Sequence, residues 1–279
     1  MLENTFIHIP GVGPKTEQRF WEAGIYIWDD FTGNCPLFLS QPKKDTIASY
    51  LYESKKNLEF GNLTYFSDLL PANQHWRLFP EFRESTVYLD IETTGLESRE
   101  DIITTIALYD GKSIAYYISG QNLDDFMDDI EKYQVIVTYN GKTFDIPFIE
   151  RYFGINLNHV HIDLRYILRS LGYRGGLKSC EIQLGIDRKD LKDIDGFFAV
   201  LLWHDYKRNE NQRALETLLA YNIQDVLSLE NLMVMAYNIK IKDTPSYRNA
   251  LPAPVLPDIP FDVDRDTVNG IKMDVGCWP

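Results

Sequence analysis

Between residues 85 and 139 the chain alternates short runs of β-branched and aromatic residues with turns that contain glycine or aspartate. The runs are Thr86–Glu92, Ile102–Tyr109, Ser113–Ile118 and Val135–Tyr139. This pattern is typical of β-strands. Helical spacing of apolar residues is found at Leu123–Lys132, Phe144–Phe153, Leu164–Leu171, Leu177–Leu184, Phe197–Lys207 and Arg213–Tyr237. Three consecutive strands followed by alternating strand and helices predict an α/β domain with a mixed sheet flanked by helices.

The segments on either side of this region have a different character. Residues 1–84 read as a small helical domain, with helices over Lys15–Ala23 and Lys43–Leu58 and a loop around Pro71–Pro80. The α/β domain is predicted to span residues 85–243. Five of the thirteen prolines lie between Pro245 and Pro260, which predicts that residues 244–279 form an extended tail on the surface.

Composition narrows the class of protein. The longest apolar run, Phe197–Trp203, is far shorter than the roughly 20 residues that span a bilayer, and the first residues do not resemble a signal peptide. The three cysteines are too far apart in sequence for a CxxC metal site, so we expect a cytoplasmic protein without contact to a membrane. The formal net charge of −13 argues against a non-specific nucleic-acid binder.

An unusual turn stands near the N-terminus. Residues Ile7–Thr16 contain the sequence Pro-Gly-Val-Gly-Pro-Lys, in which Gly11 and Gly13 permit a tight turn and Pro14 suits the first position of a helix. The exposed amides of such a helix start bind phosphate, and Lys15 would add positive charge. The stretch of about residues 5–30 resembles the helix–hairpin–helix motif, which implies contact with a nucleic-acid backbone through Gly11, Gly13 and Lys15. A scaffolding or protein-binding hairpin is the alternative.

Two carboxylates stand together at the end of the first predicted strand. Asp90 and Glu92 are two residues apart, so on a strand their side chains point to the same face. Like charges so close together repel, and a divalent cation would offset that repulsion.

Two further acids lie in recognisable surroundings. Asp145 stands at the mouth of a predicted helix, after a polar turn that begins at Asn140. Tyr221 and Asp225 are four residues apart, so they lie on one face of a helix. Taken singly, Asp145 could be a helix-capping acid, and the Tyr221–Asp225 pair an ordinary surface pair.

The order Asp-x-Glu, Asn-x3-Phe-Asp, Tyr-x3-Asp resembles the DEDD exonucleases of the RNase H-like superfamily in their tyrosine subtype (DEDDy). Combined with the N-terminal hairpin, the chain resembles the YprB-like family of RNase H-like exonucleases, over about residues 5–30 and 75–238. The resemblance implies that Asp90, Glu92, Asp145 and Asp225 hold two divalent ions, Mg²⁺ or Mn²⁺. It also implies that Tyr221 orients the attacking water or helps to deprotonate it; because a phenol is a weak base, we expect positioning to matter more.

We also expect substrate contacts near these acids, from residues Thr93, Thr94, Gly95, Asn140 and Lys178. Asn140 could instead fix the turn before Asp145, and Lys178 could be a solvated charge at a helix start.

The resemblance implies a metal-dependent 3′→5′ exonuclease that acts on DNA or RNA, on single strands or 3′ ends. One alternative is a structure-specific endonuclease or RNA-trimming enzyme on the same fold. Another is a non-catalytic nucleic-acid-binding module, which a missing acid would favour; no acid is missing. The charge does not exclude a nucleic-acid substrate, because bound metal would offset the four site acids and residues 142–213 hold slightly more basic than acidic side chains.

Overall fold

The computed structural model describes residues 1–33, 36–95, 100–188, 191 and 194–276. The chain divides into two compact units. The first comprises Met1–Thr86 and Val234–Ala253, and the second comprises Val87–Met233 and Pro254–Pro279. Among the described residues, no helix combines the length and the apolar character that crossing a bilayer requires.

The first unit is helical. Its α-helices are α1 (Pro14–Glu22), α2 (Trp28–Gly33), α3 (Gln41–Glu59), α4 (Leu63–Leu69) and α5 (Phe79–Phe82). Short 3-10 helices occupy Leu2–Asn4, Ala72–Leu78, Arg83–Ser85, Ile241–Asp243 and Pro245–Arg248. The predicted loop around Pro71–Pro80 is therefore wrong, since the 3-10 helix from Ala72 leads directly into α5.

Aromatic rings fill the core of this unit. Phe20 lies with its ring centroid 5.2 Å from that of Phe6 and 5.8 Å from that of Phe31. Trp28 stacks on Phe66 at 6.2 Å. All five side chains are almost completely buried, so large rings form a substantial part of the core of this small helical unit.

A histidine is buried in the same core. The Nε2 atom of His8 lies 2.8 Å from the Oγ atom of Ser54, and its ring packs against Trp28. Burial lowers the pKa of His8 to about 3, and the nearby Arg77 guanidinium contributes in the same direction. His8 is therefore neutral in the folded chain at pH 7.

This burial predicts sensitivity of the first unit to acid. An unfolded histidine takes up a proton near pH 6.5, whereas folded His8 does so only near pH 3. Unfolding therefore takes up a proton in that window, and the free energy of unfolding falls by up to about 1.4 kcal/mol for each pH unit below 6.5. Urea denaturation at pH 7, 6 and 5 measures the slope. The His8→Gln variant should show a flatter dependence, and equal slopes in the two proteins would contradict the account.

The second unit is built on a five-stranded sheet. Its strands are β1 (Thr86–Thr93), β2 (Ile103–Tyr109), β3 (Ile114–Ile118), β4 (Val135–Thr138) and β5 (Val160–Asp163). The order across the sheet is β3-β2-β1-β4-β5. β1 pairs with β2 and β2 with β3 in antiparallel fashion, whereas β4 and β5 are parallel. The sheet is therefore mixed, which confirms the predicted fold class.

Helices flank this sheet. They are α6 (Phe126–Ile130), α7 (Asp145–Phe153), α8 (Leu164–Ser170), α9 (Leu177–Leu184), α10 (Gly196–Asn209), α11 (Gln212–Lys240) and α12 (Arg265–Gly276). One apolar cluster joins Val87, Leu89 and Ile91 of β1 to α6 and α7. A second cluster joins α10, α11 and α12. Residues on alternate positions of β1 therefore point away from the first cluster.

Two elements differ from the sequence-based prediction. β5 has only four residues and a partly exposed His161, so its short pattern did not indicate a strand. The tail predicted as extended contains a 3-10 helix at Pro245–Arg248 and the helix α12. Asp264 caps α12, because its Oδ1 atom accepts a hydrogen bond of 2.7 Å from the amide of Thr267.

Candidate metal centre and active site

Asp90 and Glu92 lie at the carboxyl end of β1, on the face opposite the apolar residues Leu89 and Ile91. Asp90 pairs with Ala107 of β2, and Glu92 pairs with Thr105. The register then shifts between Glu92 and Thr93, so the strand carries an irregularity directly at the acids. Such irregularities re-aim side chains next to functional sites.

Asp225 completes a cluster of three carboxylates. It lies on α11, and one oxygen atom each from Asp90, Glu92 and Asp225 come within 4.8 Å of one another. Glu92 and Asp225 are buried and Asp90 is partly buried. Two residues from a strand and one from a helix more than 130 positions later thus form one group of hard oxygen donors, which suits Mg²⁺ or Mn²⁺.

Asp145 stands beside this cluster at the first position of α7. Its Oδ1 atom accepts a hydrogen bond of 3.3 Å from the backbone amide of Ile91, the residue between the two acids of β1. Asp145 is 4% exposed, so this is a buried carboxylate and not an exposed capping residue. It lies outside the group of three carboxylates but lines the same cavity.

The pKa values of all four carboxylates are raised. Burial is the largest cause for each, and it raises the pKa of Asp145 to about 7 and that of Asp225 to about 6. The pKa values of Asp90 and Glu92 are raised well above their usual range, by burial and then by the charges of Asp225 and Asp145. Without a counter-charge this arrangement is costly, and a divalent cation would remove that cost.

Tyr221 lies one helical turn before Asp225 on α11 and is 6% exposed. Burial, followed by the charges of Asp225 and Glu92, raises the pKa of its phenol far above the usual value. The phenol is therefore protonated at neutral pH and can donate a hydrogen bond.

Two residues that the sequence did not reveal support the carboxylates. Arg188 is buried and forms ion pairs with Glu181 and with Asp225. Asn222 is fully buried, and its Nδ2 atom donates to Asp90 Oδ2 at 2.7 Å. The Asn222 Oδ1 atom in turn accepts a hydrogen bond of 3.0 Å from Thr105. Arg188 thus orients Asp225, and Asn222 orients Asp90.

A cavity of about 470 Å³ opens over the acids. Its lining includes nine of the sequence-predicted site residues: Asp90, Glu92, Thr93, Thr94, Gly95, Asn140, Asp145, Tyr221 and Asp225. Phe144, Phe197 and Val200 add apolar surface to the same walls. Acids, polar turns and aromatic rings therefore share one concave surface, as in ligand-binding sites.

The two turns in this lining are held by their own hydrogen bonds. Thr93 Oγ1 donates to the carbonyl of Gly95 at 2.6 Å, and Thr94 Oγ1 accepts from the amide of Ile102 at 3.0 Å. Asn140 has a φ of 68°, a left-handed conformation that asparagine tolerates. The backbone amide of Asn140 donates a hydrogen bond of 2.8 Å to Asp163 Oδ1. Asn140 therefore fixes the turn before Asp145, and its place in the cavity wall also allows a substrate contact.

Lys178 lies on α9, outside this lining, and its Nζ atom is 5.6 Å from the centroid of the Tyr221 ring.

The N-terminal hairpin belongs to the first unit. There Gly11 adopts a φ of 78°, Gly13 is the residue before α1, and both glycines and Lys15 are exposed. The turn therefore has the predicted local geometry, while its contact with nucleic acid stays a prediction.

Gly141 is expected to be essential to the turn that carries Asn140. A Cβ atom at this position would stand 2.3 Å from Thr138 Oγ1 and 2.6 Å from Thr138 Cβ. Thr138 is fully buried and cannot move aside, because its hydroxyl contacts both His161 and the Gly141 amide. Gly141→Ala should lower the free energy of unfolding by about 1–3 kcal/mol, the usual cost of overpacking.

Thermal or urea denaturation measures this effect, with Gly270→Ala as the matched control. Gly270 is an exposed position of α12, and no described atom lies within 4 Å of a Cβ atom built there. That variant should be unchanged or more stable by up to about 1 kcal/mol. Equal stability of the two variants would show that the turn relaxes without cost.

The sequence matches the family model RNase_H_2, described as the RNase_H superfamily, over residues 87–237, which is more than half of the chain. The chain therefore belongs to the RNase_H superfamily. This confirms the RNase H-like part of the resemblance, while the tyrosine subtype and the YprB-like family stay predictions. A search of curated proteins found no match.

Solved structures of similar fold include a family B DNA polymerase from Pyrobaculum calidifontis, at 16% identity over 55% of this chain with a TM-score of 0.42. The match covers 25% of the polymerase, so the chain spans only a quarter of that length. NrnC from Brucella melitensis is 17% identical over 72% of this chain and 90% of its own, with a TM-score of 0.41. A protein described as the apo form of a nuclease is 20% identical over 70% of this chain and 87% of its own, with a TM-score of 0.41.

Proposed function

We propose that the chain is a metal-dependent nuclease that hydrolyses phosphodiester bonds of DNA or RNA, most simply as a 3′→5′ exonuclease of the tyrosine subtype. The observation that carries this proposal is the group formed by Asp90, Glu92 and Asp225, with oxygen atoms within 4.8 Å of one another. It lies in a cavity of a chain that belongs to the RNase_H superfamily.

The donor set fits a divalent cation. All candidate ligands are carboxylates, the pKa values of all four acids are raised, and Asp145 stands within electrostatic reach of the other three. Asp90, Glu92 and Asp225 would hold one ion, and Asp145 would share in holding a second. Two such ions would activate water and stabilise the attacking and leaving oxygens of an in-line displacement.

The protein's own groups would set the geometry of the reaction. Asn222 and Arg188 fix two of the ligands by the contacts described above. The protonated Tyr221 phenol would donate a hydrogen bond to the attacking water or to a phosphate oxygen, which positions the nucleophile without removing its proton. Phe144 and Phe197 offer rings on which a terminal base would stack.

A panel of 5′- and 3′-end-labelled 20-mers tests the proposed reaction. It comprises single- and double-stranded DNA and RNA, each with Mg²⁺, Mn²⁺ or EDTA. A 3′→5′ exonuclease shortens the 5′-labelled strand stepwise and releases label from the 3′-labelled strand as a mononucleotide. Internal fragments without a ladder would favour an endonuclease. No product from any substrate with either metal would contradict a nuclease function.

A further inference from the structure

A second cavity adjoins the one that contains the acids. It has a volume of about 580 Å³ and shares the residues Tyr139 and Asn140 with the first, so these two residues form a common wall. The rest of its lining comes from α8, from the loop after α8 and from the start of α9.

Among the residues that the structure describes, three arginines and no carboxylate line this second cavity. Arg165 and Arg169 lie four residues apart on α8, hence on one face of the helix, and Arg174 follows in the loop. All three are exposed. Within the described ranges, neither Arg169 nor Arg174 has a carboxylate at ion-pair distance. Such a local excess of positive charge is notable in a chain of net charge −13.

The backbone of the cavity is also shaped for an anion. Gly175 has a φ of 111°, and a Cβ atom there would stand 2.6 Å from Ser179, so the chain keeps a glycine at this position. Gly176 then precedes α9, whose first amides have no acceptor within the helix. The hydroxyl of Tyr139 donates to the carbonyl of Gly175 at 2.5 Å, which ties the loop to the wall shared with the acids.

We propose that this cavity, named here the arginine pocket (Arg165, Arg169, Arg174 and the Gly175–Gly176 turn), binds phosphate groups of the nucleic-acid strand whose scissile bond lies over the acids. Guanidinium groups bind phosphate through two parallel hydrogen bonds, and the partly exposed Tyr173 in the same lining offers a ring for a base. The inference rests on the proposed function only where it states how the strand runs from the pocket to the acids. The binding of phosphate in the pocket does not depend on the proposed function.

The pocket explains how an acidic chain can hold an anionic polymer. Four carboxylates repel a strand unless metal is bound, so binding energy must come from elsewhere. A neighbouring cluster of three cations supplies attraction that does not depend on metal. A strand of several nucleotides would reach both cavities, whereas a substrate with a single phosphate would occupy only one.

Fluorescence anisotropy of labelled 12-mers of deoxythymidine and of uridine, in EDTA and over a range of salt, tests the inference. EDTA prevents turnover and separates strand binding from metal chemistry. Arg169→Gln and Arg174→Gln should each raise Kd about 5-fold and reduce the slope of log Kd against log salt by about 0.7, the value for one single-strand phosphate contact. The double variant should show about 25-fold weaker binding.

Arg208→Gln is the matched control, because Arg208 is an exposed arginine in the last turn of α10 and lines neither cavity. It should keep the Kd and the salt slope of the wild type. Arg165 is left unchanged because it also contacts Asn140. Twelve-mers with and without a 5′-phosphate distinguish a terminal phosphate from internal phosphodiesters. Tighter binding of the phosphorylated 12-mer indicates a site for the terminal phosphate, and equal binding of the two indicates a site for internal phosphodiesters.

Several outcomes would overturn the inference: a double variant with wild-type Kd and salt slope, a wild type that binds no 12-mer, or displacement of the 12-mer by a glutamate decapeptide as readily as by unlabelled 12-mer.

Parallel hydrolysis assays with Mn²⁺ separate the two proposals. A wild type that cleaves while the double variant binds normally contradicts the pocket alone. A wild type that binds through the arginines and cleaves nothing contradicts the nuclease function alone.

Discussion

Asp90→Asn is expected to reduce phosphodiester hydrolysis by on the order of 10³-fold at saturating substrate, the size of effect that follows removal of one preorganised electrostatic group. Asparagine keeps the volume of aspartate and can still accept the hydrogen bond from Asn222. It removes one negative charge from the three-carboxylate group, so metal is held weakly and in a wrong position. Single-turnover hydrolysis of an end-labelled 12-mer in Mn²⁺ measures the loss.

A stability measurement distinguishes this loss from misfolding. In EDTA the variant should be at least as stable as the wild type, because one of four mutually repelling buried charges is gone. Added Mn²⁺ should raise the melting temperature of the wild type more than that of the variant. Asp124→Asn removes an exposed acid of the same unit and should change neither property. Full activity of Asp90→Asn would remove Asp90 from the site.

Glu17→Gln is expected to lower the free energy of unfolding of the first unit by about 3–5 kcal/mol, the usual cost of breaking a buried ion pair. Glu17 and Arg77 are almost completely buried. The Nη1 and Nη2 atoms of Arg77 donate to Oε1 and Oε2 of Glu17, each at 2.8 Å. Glu17 Oε1 also accepts hydrogen bonds from the amides of Phe6 and Ile7, at 2.7 and 3.1 Å. The variant leaves the charge of Arg77 buried and uncompensated.

Urea denaturation measures this loss, with Glu22→Gln as the control on the same helix. Glu22 is exposed and accepts a long hydrogen bond from Gln18, so its replacement should change stability by less than about 0.5 kcal/mol. Because Glu17 anchors the chain just before the Gly11–Gly13 turn, loss of the pair should also loosen the hairpin. If Glu17→Gln cost no more than Glu22→Gln, the pair would contribute nothing to the fold.

The residues found from sequence alone are those whose roles depend on local spacing. Asp90 and Glu92 were recognised because alternate residues of a strand share a face, and Tyr221 and Asp225 because residues four apart share a face of a helix. The strands β1 to β4 were predicted for the same reason, since their apolar patterns are long enough to be distinct. The convergence of Asp90, Glu92 and Asp225 followed only from the family resemblance, because local spacing does not bring a strand and a distant helix together.

The residues that sequence did not reveal act through distant partners. Arg188 pairs with Asp225, 37 positions later, and Asn222 donates to Asp90, 132 positions earlier. Asn222 lies within the Tyr221–Asp225 motif, but no local pattern marks either Asn222 or Arg188 as a partner of the acids. The same holds for Glu17, whose partner Arg77 lies 60 positions away. Contacts of this kind depend on tertiary packing, which local patterns do not encode.

The short elements were missed for another physical reason. β5 is stabilised by its parallel pairing with β4 and by Asp163. The carboxylate of Asp163 accepts hydrogen bonds from the backbone amides of Asn140 and of Arg165 in α8. α12 follows a proline-rich segment, and its start depends on a single capping residue, Asp264. In both elements, tertiary contacts or a cap stabilise a segment whose own apolar pattern is weak.

Isothermal titration with Mn²⁺ tests the central claim, that the buried carboxylates form a metal centre, most directly. The wild type should bind two ions per chain and release protons at pH 6–7, because Asp145 and Asp225 have pKa values of about 7 and 6 without metal. Asp90→Asn should lose at least one of these ions, and Asp124→Asn should retain both. A wild type that binds no Mn²⁺ at millimolar concentration would contradict the claim.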